Sequence, residues 1–370
     1  MDMSNYTTDF EPSAWKETEM ANGRLLLGLD IGSSGAKICQ LRELRGSYEV
    51  QLVDSAEFSN DAIVDGSILD RDSVVNAIKQ MLQRNNIRQR PCAIAISGYS
   101  VIVKRVRMPE MSDDELRDNL RWEVEQHIPY DYDDVVVDTV ILERNSAQKK
   151  MEILLVASKK EVVSEYMSIA KSAGLDVKVV DTVSFALHNM AETVYKDLIT
   201  DSVVAIINVG ASLTSMTMVT NGVPAFTRDI QIGGNQITEE IQKKLGITRE
   251  EADNFKTGAG GSASAVVPQE VESVTQLVSE NIAGEIRRSI NFFYETTGMD
   301  HIDHVLLCGG AIKNPTTCQA LKKALDAKCT LVNPFEKLAF NTKLYTSQAL
   351  DERGLELAVA FGLALRSANE

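Results

Sequence analysis

The sequence predicts an α/β protein of two duplicated halves that face each other, each interrupted by an inserted subdomain. Three observations carry this. A strand–turn–strand unit near the start recurs near the middle; helix-rich stretches interrupt both copies; and 370 residues exceed what one compact domain usually needs. The first unit is the run Arg24 to Leu41, an apolar strand, a Gly/Ser turn, then a return strand of alternating character. The second is Val203 to Val219. Laid side by side, Asp30 meets Asn208, Gly32 meets Gly210 and Ser34 meets Ser212. The offset is close to half the chain, the signature of an internal duplication.

In chain order, residues 1–22 are polar and acidic and read as a flexible leader. The first half spans 23–200 and the second 201–370. Within the first half, an insertion over about 101–173 forms a small α/β subdomain. Its helix opens on a capping box, Ser112 with Glu115 three residues on. Leu116, Leu120, Val124 and Ile128 line one stripe of that helix, and Pro129 ends it. Strands follow around Val135–Leu142 and Met151–Ala157. The second insertion, about 236–298, is mostly helical, broken by a mobile Gly/Ser/Ala loop from Gly258 to Ser264. Asp303 to Pro315 reads as a buried strand running into a Gly-Gly turn. Gly354 to Arg366 reads as a small-residue helix suited to close packing.

Composition excludes several functions. The 38 basic and 53 acidic residues give a formal charge of −15, which disfavours nucleic acid and anionic membrane surfaces as partners. No run of ~18 apolar residues is present, so direct membrane insertion is not expected. The N-terminus lacks the basic-then-apolar order of a signal peptide, which points to the cytosol. Five scattered cysteines without a Cys-x-x-Cys pair argue against a disulfide framework or a zinc site.

The chemistry concentrates in the turns. A strand ending in Asp before a Gly/Ser turn gathers backbone N–H groups and hydroxyls around one point, an anion cradle. Gly32, Ser33 and Ser34 would wrap phosphate oxygens, Lys37 would reach them from the return strand, and Asp30 would hold a hydrated Mg²⁺. No Walker-type Gly-x-x-x-x-Gly-Lys-Ser/Thr run is present. His301 and His304 resemble a metal pair but precede a strand, and read as a turn pair. Trp122 reads as packing or as a partner anchor, Lys243 and Lys244 as a solvated helix face.

These turns resemble the actin-like ATPase superfamily from Leu25 to Leu365. The resemblance makes Asp30–Lys37 the first phosphate loop, Asn208–Ser215 (with Gly210, Ala211 and Ser212) the second, and Gly309, Gly310 and Ala311 the adenosine turn. It makes Val179–Val194 and Gly354–Leu365 the connecting helices that cross at the hinge. Gly233 and Gly234 open a helix from which Lys243 would contact ribose. ATP and Mg²⁺ would lie between the halves. Asn208 stands where brisk hydrolases of the superfamily carry an acid; it orders metal-bound water or merely closes the turn, and weak or absent hydrolysis is expected either way. Within the superfamily, Met108–Leu116 with Glu123–Tyr130, Val180–Leu187, and Ile232–Ile241 with Glu250–Lys256 are similar to the PilM family of type IV pilus assembly. That resemblance implies a cytoplasmic ATP-binding adaptor, brought to the inner membrane by the N-terminal tail of a PilN-like protein. The tail would lie in a groove between core and insertion, walled at Ile128, Pro129 and Tyr130. Other pilus assembly proteins and self-association are further expected partners. The competing expectation is an FtsA-like filament-forming ATPase of cell division.

Overall fold

The computed structural model describes residues 25–367, apart from 60, 65, 89, 99, 146 and 259–268. The expected leader and most of the Gly258–Ser264 loop therefore lie outside the described residues. Two mixed sheets form the body. The six-stranded sheet runs Asp176–Thr182, Pro91–Ile96, Leu27–Gly32, Gly35–Leu44, Ser47–Glu57, Ala339–Phe340. The five-stranded sheet runs Val223–Ile230, Thr214–Thr220, Val203–Val209, His304–Cys308, Lys328–Leu331. Both share one pattern: a strand with a parallel neighbour on one side and an antiparallel meander on the other. The duplication expected from the turns is thus present in the strand topology.

The apolar strands Leu27–Gly32 and Val203–Val209 are covered on both faces, which is why they read as continuous hydrophobic runs. Their outer faces pack on separate cores. One is built on Ile78 and Met81 of the helix Arg71–Arg84, the other on Ile282, Ile286 and Phe293 of the 29-residue helix Gln269–Thr297. Between the sheets a third core centres on two helices, Val183–Val194 and Ser347–Ala364. There the helices meet backbone to side: a Cβ added at Gly362 would sit 1.8 Å from the Ala186 carbonyl oxygen.

The first of these helices starts later than the sequence suggested. Val179 to Thr182 completes an edge strand paired with Ala93 to Ile96, and Thr182 caps the helix by accepting from the Phe185 N–H at 3.2 Å. The β-branched residues Val177, Val179 and Val180 favour the strand, and the Thr182 hydroxyl sets the boundary. The second helix starts earlier, capped by Thr346.

The inserted subdomain is a three-stranded antiparallel sheet, Val101–Pro109, Lys150–Lys159 and Val135–Asn145, under the helix Asp113–His127. Both halves of the Ser112/Glu115 capping box are made. Leu116, Val124 and Ile128 are buried in the subdomain's own core.

Two late segments belong spatially to the first half. Ala339 and Phe340 add an edge strand opposite Glu49 and Val50. Tyr345 Oη accepts from the Val53 N–H at 3.0 Å.

Candidate functional site

The first turn is a tight hairpin in which Gly32 pairs with Gly35, leaving Ser33 and Ser34 at the tip. Two residue pairs further in, Asp30 faces Lys37, with 3.7 Å between Oδ2 and Nζ. Burial pushes the Asp30 carboxyl above the usual carboxylate range, and Lys37 only partly opposes this. A carboxylate at this place, beside one ammonium and below a hydroxyl-tipped hairpin, is of the chemistry that would hold a hydrated divalent cation such as Mg²⁺.

The second turn is closed by the Gly210 N–H donating to Leu213 O at 2.8 Å. It is tied to the start of the helix Gly234–Leu245, where Gly234 N–H donates to Gly210 O at 3.0 Å and Asn235 N–H to Ala211 O at 2.7 Å. The contact leaves no room for a side chain: a Cβ at Gly233 would lie 2.6 Å from both the Gly210 and Ala211 oxygens. A Cβ at Gly234 would lie 3.2 Å from Ala311 Cβ, which brings the turn Gly309–Ala311, expected to meet adenosine, alongside. Gly309 has φ +100°, and a Cβ there would meet Val209 O at 2.3 Å and Asn208 Oδ1 at 2.6 Å. Gly210, Ala211, Gly233, Gly234, Gly309, Gly310 and Ala311 thus gather around one end of the second sheet. Ser212 accepts from Asn235 Nδ2 at 3.2 Å. Asn208 turns its side chain toward Cys308 and Gly309. Lys243 is solvent-facing and ion-paired with Glu240 at 2.7 Å.

Several contacts join the halves around these turns. At the base, the helices cross at Ala186 and Gly362. At the rim, Arg249 Nη1 pairs with Asp61 Oδ1 at 3.0 Å. Between them, the Gly98 N–H donates to Asp229 Oδ2 at 2.5 Å. Asp229, which the sequence reading did not single out, lies in register with Ser215, itself opposite Asn208. Burial raises its carboxyl, opposed by the Ser215 hydroxyl and the Gly98 N–H. The pattern Thr-Arg-Asp on a strand resembles any solvated edge, so no local signal marked it.

An open cavity of about 670 Å³ is lined not by the turn residues but by Ser67, Arg71, Ser97, Ser100, Val162 and Ser164 among others. It sits where the core meets the helix Lys160–Ser172 that closes the inserted stretch. Arg71 Nη2 donates to Ser168 Oγ at 2.8 Å and Ser172 Oγ at 3.0 Å. Ile128, Pro129 and Tyr130 are not among its lining residues. Ile128 is buried in the subdomain core, and the Tyr130 ring lies under the Lys159 ammonium, 4.9 Å from its centroid. Trp122 is 59% exposed. His301 pairs with Asp300 and Asp303. Among the described residues no cluster of three metal-type ligands occurs, and no helix is long and apolar enough to cross a membrane.

Comparison with known proteins fits this geometry. The structure is similar to the PilM–PilN type IV pilus biogenesis complex, with a TM-score of 0.82 and 26% identity over 93% of this chain and 98% of that one. It shares its fold with the ethanolamine utilization protein EutJ of Carboxydothermus hydrogenoformans, at TM-score 0.54 and 14% identity over 92% and 89% of the two chains. In sequence it is similar to the cell division protein FtsA of Streptococcus pneumoniae, 22% identical over 72% of this chain. The FtsA of Bacillus subtilis is 23% identical over 65%. The chain spans only 62% and 59% of those two relatives' lengths. The model of the type IV pilus assembly protein PilM matches residues 28–368. The chain has the actin-like ATPase fold and belongs to the PilM family of type IV pilus assembly proteins.

Proposed function

We propose that this protein is a nucleotide-binding adaptor that captures the N-terminal tail of a PilN-like inner-membrane protein and is held at the cytoplasmic face of that membrane by it. The observation that carries the reading is the cavity at the seam between core and inserted stretch, in a chain similar along its length to the PilM–PilN complex. Its wall of serine hydroxyls, with Arg71 and the carboxylates Glu161 and Glu165, suits the main chain and polar groups of an extended peptide. The net charge of −15 favours a basic tail. Tyr130, which follows Ile128 and Pro129, would act on this groove from behind by bracing Lys159 at the start of its wall helix. Lys160 Nζ donates to Asp133 O at 2.8 Å in the same corner.

ATP would lie between the two turns. Asp30 would hold Mg²⁺ through water, with Lys37 and the Ser33–Ser34 tip on the phosphates, and Gly309 to Ala311 beside the adenosine. Asn208 can hydrogen-bond metal-bound water but cannot accept a proton from an attacking one, so turnover would be slow. Nucleotide would bias the groove by favouring one cleft geometry.

The test is a fluorescence-anisotropy titration of a labelled N-terminal peptide of the PilN-like protein from the same source, with and without Mg-ATP. Saturable binding abolished by Ser164→Trp, which fills the cavity from an exposed helix position, supports the reading. No binding in either condition overturns it. The similarity to FtsA favours a second reading, ATP-dependent filaments, which sedimentation of the Mg-ATP complex would reveal.

A further inference from the structure

The cavity and the second turn share one stretch of chain. Ser97 and Ser100 line the cavity. Gly98, between them, donates its N–H to Asp229 of the second half at 2.5 Å. It also lies against the second turn, since a Cβ on Gly98 would be 3.6 Å from Leu213 Cδ1. Gly98 takes φ +88°, and its carbonyl accepts from the Val101 N–H at 3.0 Å, which fixes Gly98 itself against the strand Val101–Pro109. The Ser100 carbonyl in turn accepts from the Lys159 N–H, at the residue that caps the cavity's wall helix. Asp229 reaches the turn from the other side, through Ser215 and its register with Asn208.

We propose that Asp229 is the positioning residue through which nucleotide state reaches the peptide groove: it grips Gly98, and any movement of the second turn carries Ser97 and Ser100 with it. The inference rests on the reading of the cavity as the peptide site. It differs from coupling through the hinge helices, because the Gly98 contact bypasses them. The acid at the position of Asn208 is missing, but two strands away the same row holds a carboxylate used to hold the other half.

Two readouts test this on the full chain, with the labelled tail peptide and a fluorescent ATP analogue as probes. In the wild type, Mg-ATP changes amide exchange across Ser97–Ser100 and shifts peptide Kd by about 5- to 150-fold, the usual span of coupling between sites. In Asp229→Ala the exchange response disappears and the Kd ratio falls to about 2 or less, while nucleotide and peptide each still bind. Asp229→Asn keeps an acceptor for the Gly98 N–H and restores part of both. Coupling that survives intact in Asp229→Ala overturns the proposal, as does a wild type that binds nucleotide with no change at Ser97–Ser100. A wild type that binds no peptide, yet shows the exchange response, sinks the partner reading alone and leaves the Gly98 grip standing.

Discussion

Gly362 and Gly284 offer a matched pair of helix glycines whose replacement by alanine should act with opposite sign. At Gly284, in the helix Gln269–Thr297, an added Cβ meets nothing within 4 Å. Only the conformational gain remains, so Gly284→Ala should stabilise by about 0.5–1 kcal/mol. At Gly362 the same gain applies, but the methyl would fall 1.8 Å from Ala186 O and 2.5 Å from Ala186 C. Ordinary contacts lie near ~3.5 Å, so the crossing helices must part by roughly 1.5 Å. Neither of these atoms is a side-chain tip that can turn away; both are helix backbone. Forced overpacking typically costs ~1–3 kcal/mol and more where backbone must move. After subtracting the helix gain, Gly362→Ala should destabilise by about 2 kcal/mol or more, leaving ~3 kcal/mol between the variants. Guanidinium unfolding midpoints of the two variants and wild type measure this directly. A Gly362→Ala protein as stable as Gly284→Ala would refute the claim that the helices touch backbone to side at this point.

Other outcomes follow from the site. Asp30 is raised above 3.8 by burial, so the folded state holds its proton more tightly than the unfolded chain. Its cost to stability therefore grows as pH rises from 3.8 through the higher folded value and is full above it. Asp30→Asn should melt higher than wild type at neutral pH, with the gap closing on acidification, while Mg-dependent nucleotide binding is lost. Parallel melting curves at all pH values would contradict this. Gly309→Ala, forced into φ +100° with Val209 O 2.3 Å away, should abolish binding of a fluorescent ATP analogue; unchanged affinity would separate the adenosine site from this turn. Arg249→Ala removes the rim pair with Asp61, worth up to ~1 kcal/mol, and should speed nucleotide release up to about fivefold in stopped flow. Burial pushes the Cys92 thiol up to about 12 and those of Cys39 and Cys308 higher still. Cys329, only partly buried, should therefore react first with a disulfide reagent, and rapid native labelling of Cys39 or Cys308 would show that the core opens.

What the sequence made legible was local. The Gly32–Gly35 hairpin, the Ser112/Glu115 box and the stop at Pro129 are each written within a few neighbouring residues, and each is present. Thr182 misled, because a strand feeding directly into an apolar helix leaves no Gly or Pro between them, and only the capping hydroxyl marks the change. Asp229 and Gly98 are 131 positions apart, joined by strand order that no window along the chain contains. Ile128 shows the same limit. Its stripe correctly predicted an apolar face, but whether that face meets a groove or its own sheet depends on the partner strands Val135–Asn145 and Lys150–Lys159.

The strand Ala339–Phe340 ties the order of synthesis to the order of folding. Its partner residues, Glu49 and Val50, leave the ribosome long before it does. At ~5–20 residues per second, roughly 15–60 s separate the two. During that interval the strand Ser47–Glu57 has an open edge, and Leu26, Cys39 and Leu41 lack the helix Ser347–Ala364 that covers them. The first half is thus finished only by segments made some 290 residues after its own edge strand. A nascent chain needs protection over this window, and a fragment ending near residue 200 should emerge with an adhesive flank rather than as an independent domain.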